Sequence, residues 1–195
     1  MPGYRTWIVW IGAATLAGCG LFRGRVDPAQ ACRPVEGQLP AGATTAAMAG
    51  TYELTMVATG GARAGRSVTG RLELVAQDSA LVAVEGAAQT LRGTSDVVPD
   101  SVGAVTGGEL VSADPAAPGV AVYEQRSASG AVTVFARLGA GSNAHGPQPF
   151  DAAFTTLFVR RISAGGFAGG WRSSAGSTFP LRQAEGYFCA VRARS

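Results

Sequence analysis

The chain of 195 residues holds one histidine, three cysteines and 13 acidic residues, and these set the limits on its chemistry. A serine nucleophile needs an imidazole beside it and a carboxylate behind it. His145 stands in Gly141-Ser142-Asn143-Ala144-His145-Gly146-Pro147, with Ser142 and Asp151 near it in sequence. No Gly-x-Ser-x-Gly elbow presents a hydroxyl to it, so His145 reads as an exposed loop residue. One histidine and so few thiols do not assemble the usual zinc sets. A calcium loop would show an Asp-x-Asp-x-Asp run, and none occurs. Glycoside hydrolysis needs only two carboxylates flanking a bond. Glu53, Glu73, Glu85, Glu109, Glu124 and Glu185 are candidates. Strand alternation puts each at an outward, solvated position, and nothing selects a pair. No catalytic residue, metal ligand or cofactor is expected, and the chain does not read as an enzyme.

The segment Gly60-Gly61-Ala62-Arg63-Ala64-Gly65-Arg66-Ser67 has the spacing of a phosphate-binding loop, with Arg66 where such loops carry lysine. That loop works by aiming backbone donors and a helix amino end at the phosphates. Here the following residues, Val68 to Leu74, alternate as a strand, so the segment reads as a glycine-rich hairpin turn. The 16 cationic residues are all arginine. They are scattered singly apart from Arg160-Arg161, with no basic stripe interleaved with aromatics, which argues against a nucleic-acid partner.

The amino terminus carries an address. One positive charge by Arg5 precedes an apolar run, Thr6 to Ala17, that is too short to span a bilayer as a helix. This is the layout of a secretory signal peptide. It ends in Leu16-Ala17-Gly18-Cys19, which resembles the bacterial lipoprotein box. The resemblance implies cleavage before Cys19, lipid on its thiol and amine, and a membrane as partner through that lipid. It covers residues 1–19 only. Gly20 after the cysteine, instead of aspartate, points to the periplasmic face of the outer membrane where a bacterium has two membranes. In such an oxidising compartment the two remaining cysteines, Cys32 and Cys189, are expected to pair.

These residues need elements to hold them. The expected organisation is a signal peptide over 1–18, a lipidated cysteine and tether over 19–49, and a β domain over 50–195. Residues 20–43 are rich in Gly, Pro and Arg, and Thr44 to Ala49 adds one helical turn ending at Gly50. Tyr52, Leu54 and Met56 then share one strand face, and Val68, Leu72 and Leu74 another. Further runs are Ala80–Glu85, Gln89–Arg92, Gly119–Gln125, Ala131–Leu138, Phe150–Ile162, Gly166–Ser173 and Gly186–Ala193. Ala152, Phe154, Thr156 and Phe158 share a face of the long run. Tyr187, Cys189 and Val191 share one in the last. The stretch 93–118, cut by Pro99, Pro115 and Pro118, reads as a long connection with one or two short strands. The fold class is all-β. An antiparallel up-and-down barrel of eight to ten strands is favoured, because closure removes open edges. The alternative is a β-sandwich.

Gly50-Thr51-Tyr52 is similar to the Gly-x-Trp opening of lipocalin-like barrels. In that family the aromatic plugs the closed end and an arginine of the last strand stacks on it, which implies Arg192 across Tyr52. The tryptophan is replaced here, and the family's Thr-Asp-Tyr turn is absent. Aromatics on inferred inward faces, Tyr52, Phe154, Phe158 and Trp171 with Phe167 and Tyr187, would fill a core or line a ligand cavity. Two functions therefore stay open. One is a lipid-anchored exported barrel that binds an apolar small molecule or lipid. The other is a structural or protein-interaction component of the cell envelope with no ligand.

Overall fold

The computed structural model describes residues 31–82, 87–104, 119–139, 154–174 and 183–194. Eight antiparallel strands form a closed barrel in sequence order. They are β1 (Gly50–Gly60), β2 (Ser67–Val82), β3 (Ala88–Ser95), β4 (Gly119–Arg126), β5 (Val132–Leu138), β6 (Phe154–Ser163), β7 (Gly166–Ser174) and β8 (Gln183–Arg192). Each pairs with the next, and β8 closes on β1 with Tyr52 opposite Arg192 and Thr55 opposite Cys189. This is the up-and-down barrel expected of a lipocalin-like architecture, and no sandwich.

Alternation explains most of the wall. On β1, Tyr52, Leu54, Met56 and Ala58 are at most 1% exposed, while Glu53 is open to solvent. Leu72 and Leu74 on β2 and Val120 and Val122 on β4 enter the same core. The Gly60–Ser67 segment is a hairpin turn, closed by Ala58 and Arg66 and by Gly65 donating to the Ala58 carbonyl. A strand follows it, so no helix amino end is present to hold a phosphate.

Both barrel ends are stoppered. At the lower end, where β1 starts and β8 finishes, a 3-10 turn over Thr45–Met48 lies inside the rim with Thr45 and Met48 buried. At the upper end a second 3-10 turn, Pro99–Val102, buries Pro99 and Val102. Met48, the inward side chains and Val102 make one continuous cluster. Of the stretch read as tether, residues 31–49 are packed onto the barrel: Cys32, Leu39, Thr45 and Met48 are all under 9% exposed.

Several boundaries and faces differ from expectation. The run at 68–74 and the described start of the next, 80–82, belong to one strand, β2, whose pairing with β3 slips between Ala76 and Leu81. Residues 83–86 lie outside the described part. β3 takes Gly93–Ser95 from the supposed connection. On β6 the inward residues are Thr155, Leu157 and Val159, so Phe158 and Thr156 face out. On β8 the inward residues are Ala184, Phe188 and Ala190, so Tyr187, Cys189 and Val191 face out. Both strands carry apolar side chains on both faces, and alternation alone selected the wrong one.

Candidate functional site

The lower stopper is the most elaborated polar site among the described residues. The Tyr52 ring is buried in the core, with Phe167 edge-on at 5.0 Å. The Arg192 guanidinium lies 5.1 Å from the Tyr52 centroid. Its Nη2 donates to Tyr52 Oη at 2.9 Å and to the Ala47 carbonyl at 3.1 Å, and its Nη1 donates to the Ala49 carbonyl at 3.3 Å. One planar fork thus joins the ring to the carbonyls that end the 3-10 turn, which have no partner within the turn. Burial pushes the Tyr52 phenol above its ordinary value, opposed by the Arg192 charge.

A second clamp holds the other side of the stopper. Glu124 faces inward on β4, and its Oε2 accepts from the Thr45 backbone N–H and from Thr45 Oγ1, each at 3.1 Å. Arg126 reaches Glu124 Oε1 at 2.6 Å and donates to the Ala43 carbonyl at 3.2 Å. Burial raises the Glu124 carboxyl, but the hydrogen bonds from Thr45 and Arg126 outweigh it and hold it below its ordinary value. The outward, solvated position expected for Glu124 is therefore corrected: its side chain is only 13% exposed. Glu53, Glu73 and Glu185 are exposed. They lie on the outer face while Glu124 lies on the inner one, so none of the three pairs with it across a cleft. Glu85 and Glu109 lie outside the described residues.

The four aromatics expected to line a ligand cavity are not gathered in one. Tyr52 is at the lower stopper. Trp171 is buried in the core, with Nε1 donating to the Val57 carbonyl at 3.1 Å. Phe158 is half-buried on the outer wall; a bulge follows it, where pairing slips between Val159 and Arg161. The Phe154 side chain lies outside the described residues. Two clefts among the described residues are on the outer wall. One, of about 790 Å³, lies over β8, β1 and β2 between Thr51, Glu53, Arg71 and Arg194. The other, of about 340 Å³, has Gly170 and Gly186 in its floor beside the Trp171 edge, with Phe158, Arg160, Arg172 and Glu185 around it. No protein-family model, curated protein or solved structure matches this chain.

Cys32 and Cys189 are joined in a disulfide, with their Cα atoms 5.6 Å apart. Cys189 faces outward, so the bond fixes the approaching segment to the side of the barrel. Its register partners, Thr55 on β1 and Ala168 on β7, also point outward, yet each is only 3% exposed. Cys19, Ser142, His145 and Asp151 lie outside the described residues. Among the described residues no three His, Cys, Asp or Glu side chains cluster to hold a metal ion.

Sequence reasoning missed the inward role of Glu124, Arg126, and the shared outward face of the β6 arginines Arg160 and Arg161. The first two were legible in principle as charges continuing the inward parity of Val120 and Val122. The arginines depend on the bulge, which no pattern in the sequence announces.

Proposed function

We propose that this chain is an exported, lipid-anchored component of the cell envelope whose barrel is a solid scaffold and whose working surface is its outer wall. The observation that supports the scaffold reading over a ligand-binding one is the filled interior. Leu54, Met56, Val122, Leu157, Phe188 and Trp171 meet inside at 1% exposure or less, and Met48 and Val102 close the two ends. A barrel of eight strands is just wide enough for side chains to fill. Binding an apolar molecule would require the loss of that packing or of one stopper. The lipid anchor rests on Leu16-Ala17-Gly18-Cys19.

Two measurements test the two halves. Replacing Cys19 by Ser should block incorporation of labelled palmitate and release the chain from membranes; unchanged partitioning refutes the anchor. Protein purified from its membrane and extracted into organic solvent should yield no stoichiometric apolar molecule beyond the covalent lipid. A one-to-one ligand would refute the solid scaffold and restore the binding reading.

A further inference from the structure

The outer wall of β6, β7 and β8 carries two adjacent arginines on one face and is where the disulfide joins the preceding segment to the barrel. Pairing slips between Val159 and Arg161, so two successive β6 residues oppose a single step of β7. A bulge of this kind interrupts strict alternation. Val159 and Ile162 stay with the core, and Arg160 and Arg161 are both exposed outside. Arg172, 77% exposed, adds to the same side. The carboxylates there are Glu185, held by Arg172 at 3.5 Å, and Glu53 on β1, opposite Val191. Cations therefore remain in excess. Among them are apolar groups: Phe158 and Tyr187, each half-buried, and Val191, 58% exposed.

We propose that this wall is a docking surface for an anionic lipid bilayer, with the barrel lying on its side. The inference rests on the anchored reading given above and adds an orientation and a lipid charge to it. Two observations select the bilayer as occupant. First, the disulfide puts Cys32 on β8, two residues along from Tyr187, so the described part of the chain begins at this wall and not at a barrel end. The 12 intervening residues, 20–31, span on the order of 40 Å at full stretch, which keeps the wall within reach of the membrane. Second, half-buried aromatics beside arginines match an interface that is apolar below and anionic above. The 340 Å³ cleft lined by Arg160, Arg172, Gly170 and Gly186 offers a headgroup phosphate two arginines, one of them shared with Glu185.

The test is hydroxyl-radical footprinting of the full chain as purified, with vesicles of phosphatidylethanolamine and phosphatidylglycerol or of phosphatidylcholine alone. With the anionic vesicles, labelling of Phe158, Tyr187 and Val191 should fall several-fold. Val75, 44% exposed on the opposite strand β2, should keep its labelling. Protection should weaken with phosphatidylcholine, with added salt, and in the Arg160→Glu/Arg161→Glu double variant, whose circular dichroism should match the wild type. If that variant does not fold, Arg172→Glu makes the same comparison. Equal labelling with and without vesicles overturns the proposal, as does protection indifferent to lipid charge. Protection that needs no vesicles and rises with protein concentration also overturns it, in favour of a second copy. The mass of the Cys19 peptide reads the anchor separately. Protection of an unlipidated chain upholds the wall while refuting the anchor.

Discussion

Truncation of Tyr52 probes the lower stopper most directly. Tyr52→Ala removes a ring that is 1% exposed, packed edge-on against Phe167 and capped by Arg192. The lost transfer energy plus the cavity places the cost at about 4 kcal/mol, with up to about 1 kcal/mol more from the aromatic pair. Tyr52→Phe keeps the ring and removes the acceptor of the 2.9 Å bond from Arg192 together with the 3.5 Å donation to the Ala49 carbonyl, at about 1 kcal/mol. Arg192→Ala loses the stacking and leaves the Ala47 and Ala49 carbonyls to water, at about 1–2 kcal/mol. Since the residues touch, Tyr52→Ala/Arg192→Ala should cost less than the sum, by about 1 kcal/mol. Guanidinium unfolding followed by tryptophan fluorescence, with the disulfide intact, gives all four values. For a domain of this size each kcal/mol corresponds to roughly 2–4 °C in Tm. If Tyr52→Ala cost under about 1.5 kcal/mol, or if Arg192→Ala cost the same with and without the ring, the two residues would not form one plug.

Glu124 is held below its ordinary carboxyl value of 4.5, so it stabilises the folded state above that pH and loses its contribution as pH falls through the lowered folded value. Acid titration of stability should accordingly be flatter in Glu124→Gln than in wild type, and an identical slope below pH 4.5 would refute the clamp. Cys32→Ser/Cys189→Ser opens a link between residues 157 apart and should lower stability by roughly 3–5 kcal/mol in equilibrium unfolding. Gly186→Ala would set its Cβ on the Val57 carbonyl oxygen and should cost about 3 kcal/mol or more. Gly170→Ala meets only the Gly186 oxygen at 3.5 Å and should stay within about 0.5 kcal/mol of wild type. A reversed order in a thermal melt would refute the register of β7 and β8.

Strand positions were legible because inward Leu, Val and Met alternate with outward Thr, Arg and Glu on β1 and β2. The Tyr52–Arg192 contact was legible through the Gly50-Thr51-Tyr52 opening, and the disulfide through counting thiols. The faces of β6 and β8 were not legible, for two physical reasons. The β6 bulge shifts parity partway along the strand, at Arg160. The outer row around Cys189 is covered, with Thr55 and Ala168 almost fully buried and Cys189 half-buried, so β8 carries apolar residues on both sides. The inward Glu124 was hidden for a related reason, since its partner Thr45 comes from outside the sheet and no local pattern records it. A composition rich in Gly, Pro and Arg suggested a loose tether over 20–43, yet Leu39 is under 9% exposed and the Ala41 and Ala43 carbonyls are bound by Arg126.

The seam between β1 and β8 also sets an order of events during folding. Tyr52 and Arg192, its register partners, are 140 residues apart. Adjacent hairpins close short loops and form early; a contact of that separation must wait for the rest. Until β8 arrives, β1 offers Leu54 and Met56 beside an unpaired row of amides, the kind of edge that recruits other chains. The Cys32–Cys189 bond spans the same two regions, so it cannot lock the correct partners before the seam has aligned them. An oxidant acting too soon has only one other thiol outside this pair to engage, Cys19. Early diacylation of that thiol would leave a single disulfide available to the chain, and the seam would then have no competing cross-link to undo.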